Sequence, residues 1–225
     1  MPGSDSLRVL TCLALATALL GLSACSSSGP QRPAAGAGQT VDAAASDAMD
    51  PDEVVPELAL ASYRRALDAL RDGDLTEAEL ELEQLILAYP AYAGPHVNLG
   101  IVYMATGRDD DALAAFSTAL SLNPQHAQAY NQLGILARRQ GRFADAEQAY
   151  RDALAADSSY PLAHYNLGVL LDLYLQRPAD ALTHYEAYQA LLPETDKTVA
   201  KWIVELRRRV GASEAAARVA AEDVS

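Results

Sequence analysis

The sequence predicts an all-α protein in which helix-turn-helix units stack into a solenoid, and three observations carry that prediction. The pairs Leu99-Gly100, Leu133-Gly134 and Leu167-Gly168 recur every 34 residues, and Ala112 with Ala146, Phe116 with Tyr150 and Ala119 with Ala153 keep the same spacing. A fixed period of this length marks a repeat architecture. Half of the 225 residues are apolar, enough to bury a sizeable core. Glycine and proline fall between the helix-length stretches, with Gly107 and Gly141 at turns and Pro90, Pro124 and Pro193 beyond the second helices.

Ahead of the repeat lies a segment of different character. MPGSDSLR is a polar start with one arginine, VLTCLALATALLGL is an apolar run of 14 residues, and LSAC follows. A spanning helix needs about 20 apolar residues, so residues 1–24 read as a signal peptide rather than an anchor. Leu22-Ser23-Ala24-Cys25 resembles the bacterial lipobox, in which cleavage precedes a cysteine whose thiol carries diacylglycerol; an ordinary signal peptide with a chance cysteine is the alternative. The resemblance implies a lipoprotein with palmitate-type chains on Cys25, each contributing roughly 0.8 kcal/mol per buried methylene. Ser26, where aspartate would retain such a protein at the inner membrane, implies the outer membrane and its periplasmic face. Cys12 would leave with the signal peptide, so no disulfide is expected.

Residues 25–56 follow as the lipidated cysteine and a tether. They are rich in Ser, Gly, Pro, Ala and Asp, with too few large apolar side chains to fold. A flexible chain of this length spans roughly 30 Å on average and about 100 Å at full extension.

Cutting at the period gives four units, 59–92, 93–126, 127–160 and 161–195. In the first helix of each of the last three units, Leu-Gly puts a large residue beside a site without a side chain, so the second helix can approach there. Glycine inside a helix costs about 1 kcal/mol, and close packing is what offsets it. Gly107 and Gly141 end first helices in a left-handed conformation, and Asp109, Asp110 and Asp111 complement the dipole of the helix they begin. The first unit drifts: Ser62, Arg65 and Ala66 stand where later units carry a large residue, Leu and Gly. In the fourth, Ala181, Tyr185 and Pro193 arrive one residue late, so LYLQRPAD holds an extra residue. Over 196–210, Val199, Trp202, Ile203, Leu206 and Val210 share one helical face and predict a capping helix. Trp202 then packs as part of the cap, and Arg207 to Arg209 suit the dipole of its last turn, a dedicated basic site being the alternative. The Ala-rich tail 211–225 is expected to fray.

Each unit alone has a bare apolar face and must stack on its neighbours. This pattern of small and large residues resembles the tetratricopeptide repeat family over residues 59–195. The resemblance implies a concave wall formed by fixed positions of each first helix. The fifth position gives Tyr63, Val97, Asn131 and Tyr165, and the ninth gives Leu67, Ile101, Ile135 and Val169. The twelfth gives Leu70, Met104, Arg138 and Asp172. The lysine and asparagine that clamp a terminal carboxylate in some members are absent from positions five and nine of an early unit, which points to an amphipathic helix or extended peptide held by apolar anchors. Filling of the groove by the chain's own 212–225 is the alternative.

Little else points to chemistry. No P-loop, dinucleotide fingerprint, G-x-S-x-G or cysteine cluster is present, so no enzyme, metal or cofactor is expected beyond the lipid on Cys25. His96 and His164 hold the same position two units apart, His126 lies at a unit boundary, and His184 has no second ligand three or four residues away. A net charge of −13 and pI near 4.6 argue against nucleic acid as partner. The expected role is a periplasmic adaptor in assembly of an envelope complex of the type IV pilus or secretin kind. Alternatives are a regulator of peptidoglycan hydrolases, or an accessory to an energy-transduction complex of the ExbB, ExbD and TonB kind. Oligomeric state is left open.

Overall fold

The computed structural model describes residues 56–222, apart from the side chains of 214 and 216–222. The expected signal segment, Cys25 and all of the tether but Pro56 lie outside the described residues, as do 223–225. Among the described residues nine α-helices run in order: α1 Glu57–Asp72, α2 Leu75–Ala88, α3 Ala93–Ala105, α4 Asp109–Leu122, α5 Ala127–Arg139, α6 Phe143–Ala156, α7 Pro161–Val169, α8 Pro178–Leu191 and α9 Lys197–Glu222. There is no strand among the described residues, and no helix there is long and apolar enough to cross a membrane.

Consecutive helices pair as hairpins, α1 with α2 through α7 with α8, and each second helix also packs on the next first helix. First helices lie beside one another, α3 with α5 and α5 with α7. Contact limited to neighbours along the chain is the mark of a solenoid.

The glycines explain how tightly each hairpin closes. A Cβ on Gly100 would sit 2.4 Å from the Phe116 ring, one on Gly134 2.4 Å from Tyr150, and one on Gly168 2.9 Å from Tyr185. The first unit reaches the same fit by other means. Its Ala66 and Leu82 are both fully buried in one cluster, so a methyl group is tolerated where the facing side chain is aliphatic rather than aromatic.

Each of the first three hairpins turns on a left-handed glycine: Gly73 at φ 79°, Gly107 at 78° and Gly141 at 74°. The following amides of Asp74, Arg108 and Arg142 bond back to the carbonyls of Ala69, Tyr103 and Ala137, at 2.8–2.9 Å. These bonds satisfy carbonyls at the helix end. The fourth hairpin shows where the extra residue goes. Leu170–Tyr174 widens into a π-helical turn, Arg177 bonds back to Leu171 across one additional residue, and Gln176 takes the left-handed position at φ 54°. Left-handed backbone costs a residue with a Cβ about 1–2 kcal/mol. Gln176→Gly is therefore expected to stabilise the protein by about 0.5–1 kcal/mol, part of the relief being lost to the freer unfolded chain; a denaturant midpoint moving down instead would contradict this.

Two apolar clusters make up most of the core. One joins α1, α2 and part of α3, including Tyr63, Leu82, Leu99 and Val102. The larger runs from α3 through α9 and includes Phe116, Leu136, Tyr150, Tyr185 and Trp202. Trp202 caps it, its ring centroid 5.6 Å from Tyr185 and 6.2 Å from Tyr165. The final helix is longer than the sequence predicts. It runs through Gly211 to Glu222 instead of ending at 210, because Gly211 keeps an ordinary φ and the Ala-rich stretch has high helix propensity.

Candidate protein-binding groove

The first helices present the twelve predicted wall residues in three rows, and the structure leaves them far less open than the repeat positions imply. Tyr63, Leu67, Val97, Met104, Asn131, Ile135, Arg138, Val169 and Asp172 are buried, while Leu70, Ile101 and Tyr165 are half-buried. The apolar members belong to the core: Tyr63 and Leu67 to the first cluster, Val97, Met104, Ile135 and Val169 to the second.

Neighbouring units are also tied by polar bonds along the wall. Asn98 Nδ2 donates to the Tyr63 hydroxyl at 2.6 Å, and Asn166 Nδ2 donates to Asn131 Oδ1 at 2.9 Å. Both donors occupy the sixth position of their units. Sequence reading missed them, although Asn98, Gln132 and Asn166 keep the 34-residue spacing and supplied the signal. At the far end Arg209 reaches Asp172 at 3.2 Å, and Arg207 pairs with Glu186 at 2.7 Å, so two of the three C-terminal arginines are engaged within the fold.

Outer ties follow the same repeat logic. Arg108 makes two bonds to Glu79 of the unit before it, and Arg177 pairs with Glu147 at 2.8 Å. In the third unit the equivalent positions hold Arg142 and, in place of the glutamate, Leu113, and Arg142 pairs with Asp145 in the first turn of α6 instead. There Arg139 bridges the units, to Asp109 at 3.2 Å and to the Met104 carbonyl at 3.0 Å. Partly exposed pairs of this kind contribute about 0–1 kcal/mol each.

Some polar groups on the wall stay unmatched. Asn98 Oδ1, Asn131 Nδ2 and Arg138 Nε are buried without a hydrogen-bond partner. Arg138 lies beside Tyr150, whose hydroxyl burial pushes up to about 12 while the guanidinium acts to lower it. Burial also raises Tyr165, with Asp196 adding to the shift and Arg138 opposing it.

The histidines divide. His126 is buried at the start of α5, and His96 is half-buried against the Pro90 carbonyl, with burial holding its pKa down. His164 and His184 face each other across the α7–α8 hairpin with Nδ1 atoms 3.0 Å apart. Sequence reading did not bring these two together, since they lie 20 residues apart on different helices. No group of three or more metal-ligating side chains gathers among the described residues.

Comparison with known proteins agrees with this architecture. The tetratricopeptide repeat model matches residues 63–127, 97–161 and 131–195 in overlapping windows. No curated protein matches the sequence. Among solved structures, PilF of Pseudomonas aeruginosa superposes with a TM-score of 0.62 at 24% identity, over 69% of this chain and 70% of that one. A thermophilic tetratricopeptide protein of Thermus thermophilus gives 0.56 at 24% identity, over 72% and 82%, and MamA gives 0.54 at 22%, over 72% and 87%. At these identities the likeness is one of fold. The fold is a scaffold suited to binding other proteins or peptides. With its repeats matched continuously from 63 to 195, the chain belongs to the tetratricopeptide repeat family.

Proposed function

We propose that the protein is a lipid-anchored adaptor at the periplasmic face of the outer membrane, which holds a helix or peptide of another envelope protein on its inner wall during assembly of a secretin-like complex. One observation carries the binding half of this reading: Asn131 Nδ2 and Arg138 Nε lie unmatched on one face of α5, buried to within a few per cent. A buried polar group without a partner costs about 1–3 kcal/mol, and more when charged. A bound segment offering carbonyl or carboxylate oxygens recovers that cost, while the half-buried Ile101 and Tyr165 of the same wall supply apolar contact. Because much of the wall is packed, the visitor enters by displacing side chains rather than by filling an open channel.

Arg138→Met separates binding from folding. It keeps the aliphatic stem and removes the buried charge at the expense of the guanidinium's contact with the Tyr150 hydroxyl, so the free protein is expected to stay folded, its melting temperature moving by no more than a few degrees. Capture of the partner, measured by crosslinking in intact envelopes and mass spectrometry, is expected to fall at least tenfold. Undiminished capture would overturn the wall as the binding site. The anchor is tested separately: Cys25→Ser is expected to abolish fatty-acid labelling and release the protein in soluble form, and continued labelling would contradict the lipidation reading.

A further inference from the structure

We propose that His164 and His184 form a two-imidazole site for Cu(II), independent of the groove. The geometry starts from the tautomers. His164 Nε2 lies 3.2 Å from the Ser158 carbonyl oxygen, which only accepts, so Nε2 carries the proton and Nδ1 keeps a bare lone pair. That lone pair faces His184 Nδ1 at 3.0 Å. In the free protein a single proton, on His184 Nδ1, lies between the rings.

A ligating histidine whose other ring nitrogen donates to a backbone carbonyl is fixed in orientation and made a better donor. His164 meets that description before any metal arrives. The rings are tilted by 38° with centroids 5.3 Å apart, and both residues are half-buried, so a hydrated ion can reach them.

Two imidazoles with no thiolate and no third protein ligand favour Cu(II): the affinity of a nitrogen site for first-row divalent metals peaks at copper, and Cu(II) accepts two cis nitrogens with water in the rest of its plane. For both lone pairs to converge on the ion, the rings turn out of their direct Nδ1–Nδ1 contact. Binding moves the His184 proton from Nδ1 to Nε2. Both imidazoles stay neutral, no proton is released, and water completes the plane.

The second unit supplies an internal comparison. His96 occupies the position of His164 and touches the corresponding turn carbonyl, that of Pro90, but Ala115 stands where His184 would be. It has one imidazole and no chelate.

The full chain is titrated with Cu(II) and with Zn(II) and followed by electron paramagnetic resonance and calorimetry. The expected result is one equivalent of Cu(II) with hyperfine structure from two nitrogens, bound at least tenfold more tightly than Zn(II). His184→Asn keeps an N–H for His164 Nδ1 and the local fold, checked by circular dichroism, and is expected to abolish the two-nitrogen signal; His96→Ala is expected to keep it. Persistence of the signal in His184→Asn, or tighter binding of Zn(II), would each overturn the site.

Discussion

Gly134→Leu is expected to lower stability by about 3 kcal/mol, the upper part of the range for overpacking a dense core, and the melting temperature by roughly 6–12 °C. Even the first added carbon would lie 2.4 Å from Tyr150 Cε1 and 2.5 Å from Cδ1. The ring has nowhere to go: Tyr150 is fully buried, with Ala146 and Ala153 beside it on α6, both also fully buried. Helices α5 and α6 must therefore separate, which opens the centre of the larger cluster. The first unit indicates the remedy. Gly134→Ala combined with Tyr150→Leu reproduces the Ala66 and Leu82 pairing and is expected to recover most of what Gly134→Ala alone loses. A thermal melt of Gly134→Leu that overlays the parent would show the hairpin packing to be wrong.

Trp202→Ala is expected to cost about 3–5 kcal/mol, the usual loss for emptying a large aromatic site. The indole is 1% exposed and closes the aromatic group of Tyr165, Tyr185 and Tyr188, the last of which lies 5.3 Å from Tyr165 between ring centroids. Its removal bares the end of a stack whose stability depends on every unit having a neighbour. The effect is expected to be graded along the chain: hydrogen exchange accelerates most in α7 to α9 and least in α1 to α4. Trp202→Phe, which keeps most of the apolar area, is expected to lose less than half as much. Uniform acceleration along the chain would contradict an end-capping role.

These expectations rest on features that differ in how openly the sequence displays them. The hairpins were legible because Leu-Gly and the facing aromatic recur at constant spacing, and each has a single packing role. The extra residue in LYLQRPAD was legible as a count, but not as a π-helical turn, since a widened turn leaves the pattern of apolar residues intact on either side. The end of the capping helix at 210 was not legible, because Gly211 keeps an ordinary φ and the apolar face that marks the cap stops well before the helix does. The wall was legible as positions and illegible as exposure: repeat numbering says which way Arg138 and Asp172 face, while their burial depends on how neighbouring side chains close over them. The histidine pair lay beyond a search along one helix, because it joins the fourth residue of α7 to the seventh of α8.

The division of the core into a small N-terminal cluster and a larger remainder has a mechanical consequence. The chain upstream of residue 56 enters the solenoid through α1, so any tension it transmits is applied to the smaller of the two clusters. Under load the first hairpin would peel away as a sacrificial link, surrendering the Tyr63–Asn98 bond and the Arg108–Glu79 clasp, while the remaining three stay wound. Pulled from the opposite terminus, α9 would come away first and the larger cluster would open at Trp202.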